Sequence, residues 1–339
     1  MSRILLRSFQ PDDLPALVAF WNHAFGPRRN FTPITAASFR RRVLESPAFD
    51  PTGLILAWAT DQGDETHLLV GMVHAFKPPT DMAIFARLEP RHHLALLYVA
   101  QAWRRQGIGG RLLRAAQDWL YYCPVHVADQ YTPCYGSVEG PRPPFFGSSE
   151  RMGIGANERQ TLHFFANRGY GVVDPGDVSM TRQVGTRHPA PPPRDLAAMG
   201  LRMVEVDNAH PFQGTEPPTR TEYTLWGSNR GDPYAGLVLV DGSNHMVGHM
   251  SWYPLAHASV SDDKRAVPHL ALGNLWLTPA LRQRGLGAYL LDQGLHVMTV
   301  EAPIRIELHT HLVHHPRAVA MYERRGFAVD MAWVNLVKT

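Results

Sequence analysis

The motif Arg-x-x-Gly-x-Gly followed within three residues by a leucine pair occurs twice in this chain, as "RRQGIGGRLL" at 104–113 and "RQRGLGAYLL" at 282–291. The two copies are offset by 178 positions, counted from Gly107 to Gly285. Self-similarity at so long a fixed offset marks a repeated structural unit. The length of 339 residues exceeds the usual single-domain size and accommodates two such units. The Pro-rich segment "VGTRHPAPPPRDLAA" reads as a linker. The division expected is therefore 1–183 for a first unit, 184–198 for the linker and 199–339 for a second.

Both motifs stand in the same local context. "HHLALLYVA" and "HLALGNLWL" are apolar runs of strand length that lead into the glycines, and "GIGGRLLRAAQDWL" and "GLGAYLLDQGLHVM" carry helical periodicity after them. Upstream, "RILLRSF" reads as a strand, "PDDLPALVAFWNHAF" as a helix with Pro and acidic residues at its start, and "GLILAWAT" and "HLLVGMVHAFK" as paired strands. The second unit repeats this with the strand "GLRMVEV" and the hairpin "GLVLVDGSNHMVGHMSWYPL", although 207–235 shows no clean helical period. Each unit closes with a helix stopped by glycine and an aromatic residue, "RQTLHFFANRGY" at 159–170 and "PRAVAMYERRGF" at 316–327. The fold class expected is α/β (α+β): two tandem domains, each a mixed, mostly antiparallel twisted sheet flanked by helices.

A strand that runs through Arg-x-x-Gly-x-Gly into a helix leaves backbone N–H groups at a helix N-terminus, where the macrodipole favours anions. Gly107, Gly109, Gly285 and Gly287 let a phosphate approach the main chain, and Arg104 and Arg282 bring charge-assisted hydrogen bonds. A pyrophosphate suits such a cradle. The dinucleotide fingerprint G-x-G-x-x-G has a different spacing.

Together, "LYVAQAWRRQGIGGRLL", "LWLTPALRQRGLGAYLL" and "HPRAVAMYERRGF" resemble the acetyl-CoA-binding and closing motifs of the GNAT N-acetyltransferases, and the likeness extends over nearly the whole chain as two copies. The resemblance implies an acetyl-CoA-dependent N-acetyltransferase, with acetyl-CoA as acyl donor and no metal. By that likeness Arg104, Arg105, Gln106, Gly107, Ile108, Gly109 and Gly110, and in the second copy Arg282, Gln283, Arg284, Gly285, Leu286, Gly287 and Ala288, hold the coenzyme pyrophosphate. Val99 and Leu277 lie where the strand meets the pantetheine arm, and His315 stands where the family often has a coenzyme-contacting Asn.

Acetyl transfer to an amine needs a base for an ammonium of pKa about 10.4 and an acid for a thiolate of pKa about 8.5. The family's acid is often a tyrosine four residues before the Gly-Phe pair. That position is Tyr322 in the second unit and Phe165, which has no proton to give, in the first. The second unit is accordingly expected to be catalytic and the first accessory. For the base, Glu307 and His309 alternate on "IRIELHTH", so that Glu307, His309 and His311 share one face, and neither is preferred. Asn274 sits where some relatives carry a base, but an amide cannot take a proton. The run His309, His311, His314, His315 raises metal chelation, yet solvated or substrate-facing histidines explain it as well. Between "VHVA" and the first closing helix lies a long stretch whose aromatics, Arg142 and Glu150, either line an acceptor site shared by the units or cover a sheet edge. Trp103 reads as core or adenine-side packing.

Composition narrows the partners. A net charge of +3 with no long Lys/Arg run gives no basis for nucleic acid binding. No stretch of about 18 apolar residues and no signal-peptide h-region is present, so neither a membrane span nor secretion is expected. Two cysteines, Cys123 and Cys134, make a disulfide framework improbable and point to the cytoplasm. The acceptor expected is a primary amine of a small molecule or peptide; the oligomeric state is not legible. Two other readings remain: a catalytically silent acyl-CoA-binding sensor, and a nucleotide-binding protein that uses the same cradle.

Overall fold

A computed structural model describes residues 3–60, 67–77, 91–121, 124–129, 131–135, 144–215, 234–255, 267–300 and 302–339. Cys123, Arg142 and residues 216–233 lie outside this set. The first half runs β1 (Arg3–Ser8), α1 (Leu14–Phe25), a one-turn α2 (Ala36–Phe39), β2 (Leu54–Thr60), β3 (His67–Phe76), β4 (His92–Val99) and α3 (Ile108–Leu120). It continues through β5 (Val125–Val127), β6 (Ile154–Gly155), α4 (Arg159–Ala166), β7 (Gly171–Val173) and β8 (Asp177–Val184). The second half runs β9 (Leu201–Asp207), β10 (Ala235–Asp241), β11 (Met246–Pro254), β12 (His269–Leu277), α5 (Leu286–Met298), β13 (Ile304–His311), α6 (Pro316–Glu323) and β14 (Ala328–Lys338).

The strands join in one sheet whose order is β1-β2-β3-β4-β5-β14-β8-β13-β12-β11-β10-β9, with β6 and β7 attached to β14. In each half three antiparallel pairings lead to one parallel pair, β4 with β5 and β12 with β13, bridged by α3 and α5. Parallel neighbours need such a crossover, and a helix supplies it.

The last strands are exchanged between the halves. Strand β8, from the first half of the sequence, pairs over its full length with β13, and β14 pairs with β8 through Ala328–Ala332. The remainder of β14 crosses to the first half, where Leu336–Lys338 pair with β5 and Asn335–Val337 with β7. Each half's final strand thus completes the other half's sheet, and side chains more than 130 positions apart in sequence become neighbours.

Periodicity explains the helices. Leu14, Leu17, Phe20, Trp21, Ala24 and Phe25 recur every three or four residues on α1 and are buried against Phe39, Phe145 and Phe146 on one face of the sheet. Helix α3 buries Ile108, Leu112, Leu113, Ala116 and Leu120 on the opposite face. In the second half α5 and α6 cover Leu237, Met250, Leu272, Ile306 and Leu308. Burial of each large apolar side chain contributes about 1.5–3 kcal/mol before entropy is charged against it.

Candidate active site

The two glycine motifs adopt the same backbone. Gly107 caps α3 at φ 80° and Gly285 caps α5 at φ 74°, both in the left-handed region that glycine adopts without a Cβ clash. Two residues earlier, Arg105 and Gln283 are also left-handed, at φ 65° and 61°. Arg104 Nε donates to Val99 O at 2.9 Å and Arg282 Nε to Leu277 O at 3.0 Å, so each arginine ties its loop back to the strand it left. No side chain caps either helix, and the first-turn N–H groups stay open to a ligand. The cradle expected from the sequence is built twice.

Beside each cradle the sheet splits. Parallel pairing between β4 and β5 covers His92–Leu94 only, and between β12 and β13 it covers His269–Leu272 only. A register shift in β4 at Ala95, and one in β12 at Gly273–Asn274, bends the strand at the start of the gap. In the second half the gap is flanked by Gly273–Leu277 and by His309–His311.

The strand exchange furnishes the second gap. On β13, Ile304, Ile306 and Leu308 enter the helix-side core, which leaves Glu307, His309 and His311 on the other face. His309 is 4% exposed at its side chain; its Nε2 lies 3.3 Å from Asp177 Oδ1 of β8, while its Nδ1 is buried without a hydrogen-bond partner. Asp177 is in turn held by Asn335 Nδ2 at 2.6 Å and Arg151 Nη2 at 3.1 Å, and Arg151 Nη1 donates to Asn335 Oδ1 at 2.5 Å. Burial acts to raise the Asp177 carboxyl, but the hydrogen bond to His309, the charge of Arg151 and the amide of Asn335 together hold it well below the usual carboxylate range.

Two further groups lie within electrostatic reach, Glu150 of His309 and Tyr322 of Glu150. Burial and the nearby Asp177 push Glu150 above the usual carboxylate range, against the pull of His309 and Arg151. Tyr322 on α6 is buried, its ring edge-on to Phe327 at 6.0 Å, and burial together with Glu150 raises its phenol well above the ordinary value. Glu150 therefore links His309 electrostatically to Tyr322. Its partner residues in the loop are fixed: Tyr253 of β11 donates to Ser149 O, and Ser148 Oγ accepts from the Arg151 N–H at 3.0 Å.

Glu307 has a different environment. It is fully buried and accepts from Arg29 Nη2 at 2.6 Å, Asn30 Nδ2 at 3.0 Å and Ser179 Oγ at 3.0 Å, with His269 Nε2 at 3.6 Å. Arg29 also pairs with Asp330, and Trp333 Nε1 donates to Ser179 Oγ at 3.0 Å. This carboxylate stands at the junction of the halves with its oxygens engaged.

Comparison with known families matches two separate regions of the chain. The acetyltransferase (GNAT) family matches residues 15–121 and 202–327, more than half of the chain. The chain belongs to the acetyltransferase (GNAT) family. No curated protein matches it. Among solved structures it is similar to a tandem GNAT protein from the clavulanic acid biosynthesis pathway, solved without AcCoA, at 15% identity and a TM-score of 0.64, covering 99% of this chain and 98% of that one. A GCN5-related N-acetyltransferase from Sphaerobacter thermophilus aligns over 99% and 95% of the two chains at 16% identity and a TM-score of 0.55. A GCN5-related glucosamine N-acetyltransferase region of a fungal multi-domain GH3 β-N-acetylglucosaminidase aligns at 13% identity and a TM-score of 0.61 over 99% of this chain, which spans 38% of that protein's length. At these identities the structures establish a shared fold.

The first GNAT repeat keeps the cradle and differs in the side chains beside it. The residue after its last parallel pair is Ala128, where the second repeat has His309, and the closing-helix position holds Phe165. The ring of Phe164 lies 3.4 Å from where a Cβ on Gly109 would stand, and Arg168 stacks on that ring at 3.8 Å. In the second repeat a Cβ on Gly287 would meet only Leu277, at 3.6 Å, and the linker's Arg194 donates to Arg284 O at 2.8 Å across the loop. Trp103 packs partly buried against the α3-side core, Asn274 lies at the strand bend, and His315 precedes α6 as its N-cap residue.

The imidazoles of His311 and His314 form a cluster separate from the one at Asp177. They surround Asp174, with His314 Nε2 at 2.7 Å and His311 Nε2 at 3.3 Å from its Oδ1. His311 Nδ1 accepts the N–H groups of Val313 and His314 at 3.2 and 3.1 Å. That tautomer carries the ring proton on Nε2, the atom a metal would need, so the trio as it stands is a hydrogen-bonded anchor for the turn between β13 and α6.

Asp177, Arg151, Asn335 and Arg29 escaped the sequence reading. The only signal was Glu150, singled out within an unusually long connection; the partners that make it meaningful come from strands whose pairing crosses the repeats.

Proposed function

We propose that this chain transfers an acetyl group from acetyl-CoA to a primary amine of a small molecule or peptide, and that the second repeat performs the chemistry. The observation that carries this reading is His309: a buried imidazole tied to Asp177 through Nε2, with an Nδ1 that has no hydrogen-bond partner among the described residues. The coenzyme suits the residues present, since the uncapped first turn of α5 and the bare Gly285 and Gly287 form an anion cradle at one end of the gap.

Acetyl-CoA, when bound, supplies a thioester carbonyl to the gap. His309 takes the proton that the amine sheds as its nitrogen bonds to that carbon, directly or through one water, and Asp177 steadies the imidazolium. This favours His309 over Glu307, whose oxygens are already engaged by Arg29, Asn30 and Ser179. Tyr322, kept protonated at neutral pH by its burial, gives its proton to the sulfur as the carbon–sulfur bond breaks. Main-chain N–H groups of Gly273–Leu277 that face the gap are placed to stabilise the oxyanion. Arg282–Ala288 and Leu277 would hold the coenzyme, and Arg104–Gly110 with Val99 would offer a second such cradle in the first repeat. A chain with only two cysteines suits a reducing cytoplasm.

The test is Tyr322→Phe, assayed for turnover and for acetyl-CoA affinity with an amine panel. Turnover should fall about 100-fold or more while the affinity changes less than about threefold. Unchanged turnover, or no transfer to any amine by the parent protein, would favour a silent acyl-CoA-binding role.

A further inference from the structure

Away from the gap, a cavity of about 600 Å³ opens between α5, α6 and β8, lined by Arg182, His188, Asp292, Arg324, Arg325 and Gly326. Its volume lies in the range of small-molecule sites. It is also short of negative charge. Arg325 clamps Asp292 through two hydrogen bonds of 2.5 Å, which uses both carboxylate oxygens and leaves Arg182 and Arg324 without a carboxylate within ion-pair distance among the described residues.

Arg182 is the unusual member. Its neighbours at alternate positions on β8, Val178, Met180 and Val184, all enter the apolar core, so the register directs Arg182 to the core side of the sheet. A half-buried guanidinium there is costly unless something anionic meets it. Among the described residues its hydrogen-bond partner is His188 Nδ1, at 3.5 Å from both Nη atoms. His188 Nε2 lies 3.5 Å from Asp292, and burial with the charge of Arg182 keeps this ring below the ordinary histidine value, neutral at pH 7. The wall is rigid: His188 N donates to Thr299 Oγ1 at 2.8 Å and His188 O meets His296 Nδ1 at 2.7 Å. Burial and Arg325 also lower the Arg182 pKa against the pull of Asp292, as expected of a cation lacking a counter-ion.

We propose that this cavity binds a small ligand through a phosphate-type oxyanion held by Arg182 and Arg324. It is separate from the coenzyme cradle, since Asp292 lies two turns along α5 from Gly285, about 10 Å. Helix α6, which carries Tyr322, forms one wall, so the ligand would be felt by the element that holds the proposed acid.

The experiment is calorimetric titration of the full chain with inorganic phosphate at matched ionic strength. Saturable binding is expected, weakened about tenfold or more by Arg182→Gln and by the exposed Arg324→Gln, and retained in Arg282→Gln and in protein saturated with acetyl-CoA. Absence of saturable heat, retention in both Arg182→Gln and Arg324→Gln, or displacement by acetyl-CoA would overturn the proposal. Since phosphate binding is read without turnover, the outcome stands whether or not the chain acetylates an amine.

Discussion

The two halves share one backbone and differ in what fills it. Their cradles agree in the left-handed Gly107 and Gly285, in the left-handed residue two before each, and in the arginine that returns to its own strand. Their gaps diverge: Ala128 and Phe165 in the first, His309 and Tyr322 in the second. The conserved part is backbone geometry, which glycine and strand pairing specify; the divergent part is a handful of side chains. The second gap is also not the property of the second half. Asp177, Arg151 and Glu150 all come from the first 183 residues, delivered by β8 and the loop before β6. A repeat with Ala128 and Phe165 in its own gap still supplies the Asp177 that holds His309 in its partner's.

The largest effect is expected where the halves are fastened. Glu307→Ala removes the acceptor that Arg29 and Asn30 share and leaves a buried guanidinium with Asp330 alone, which should destabilise the chain by about 3–5 kcal/mol. Urea unfolding followed by tryptophan fluorescence measures it, and a loss below about 1 kcal/mol would mean that the halves are held mainly by strand pairing.

Next comes the comparison of His309 with Ala128. His309→Gln should lower kcat about 100-fold and remove the limb of the pH–rate profile on which activity rises with pH. Asp177→Asn, which leaves the shape but not the charge that orients the ring, should lower kcat less. Equal turnover in both variants and the parent would move the base elsewhere, Glu307 included.

Acid sensitivity separates the halves more gently. Burial lowers His74 in the first half to about 3, and His249 and His269 in the second to about 4. The folded pKa lies below the unfolded value of about 6.5, so the unfolded chain takes up protons first as pH falls, and stability declines from about pH 6.5 down to about pH 4. At pH 5 each histidine accounts for about 2 kcal/mol of that decline. Urea midpoints at pH 7.5 and 5.0 should differ, and His249→Leu should recover part of the difference; identical midpoints would show that these rings are hydrated.

Much of this was legible in the sequence. The repeat, both cradles and the closing helices follow from glycine placement and periodicity, which are local, while the Phe165/Tyr322 contrast is what the family resemblance implies. Strand exchange is not local. Nothing in "DVSMTRQV" or "AVDMAWVNLVK" says whose sheet each completes, since alternation specifies a face and not a partner. For the same reason the even choice between Glu307 and His309 could not be resolved from their spacing: the two share a face, and only their partners, Arg29 for one and Asp177 for the other, tell them apart.

The smallest effect is the sharpest probe of the comparison. Gly107→Ala and Gly285→Ala each force a side chain into φ near +75°, at a cost of about 1 kcal/mol. A Cβ at 107 meets nothing within 4 Å, and one at 285 meets only the movable end of Arg194, so the two variants should lose nearly equal stability. Function should split them. A methyl at 285 enters the cradle of the repeat that carries His309 and Tyr322 and should raise the KM for acetyl-CoA several-fold, while one at 107 enters the cradle of the repeat with Ala128 and Phe165 and should leave it unchanged. If Gly107→Ala also raises KM, coenzyme reaches the first half, and the asymmetry lies in the chemistry alone and not in binding.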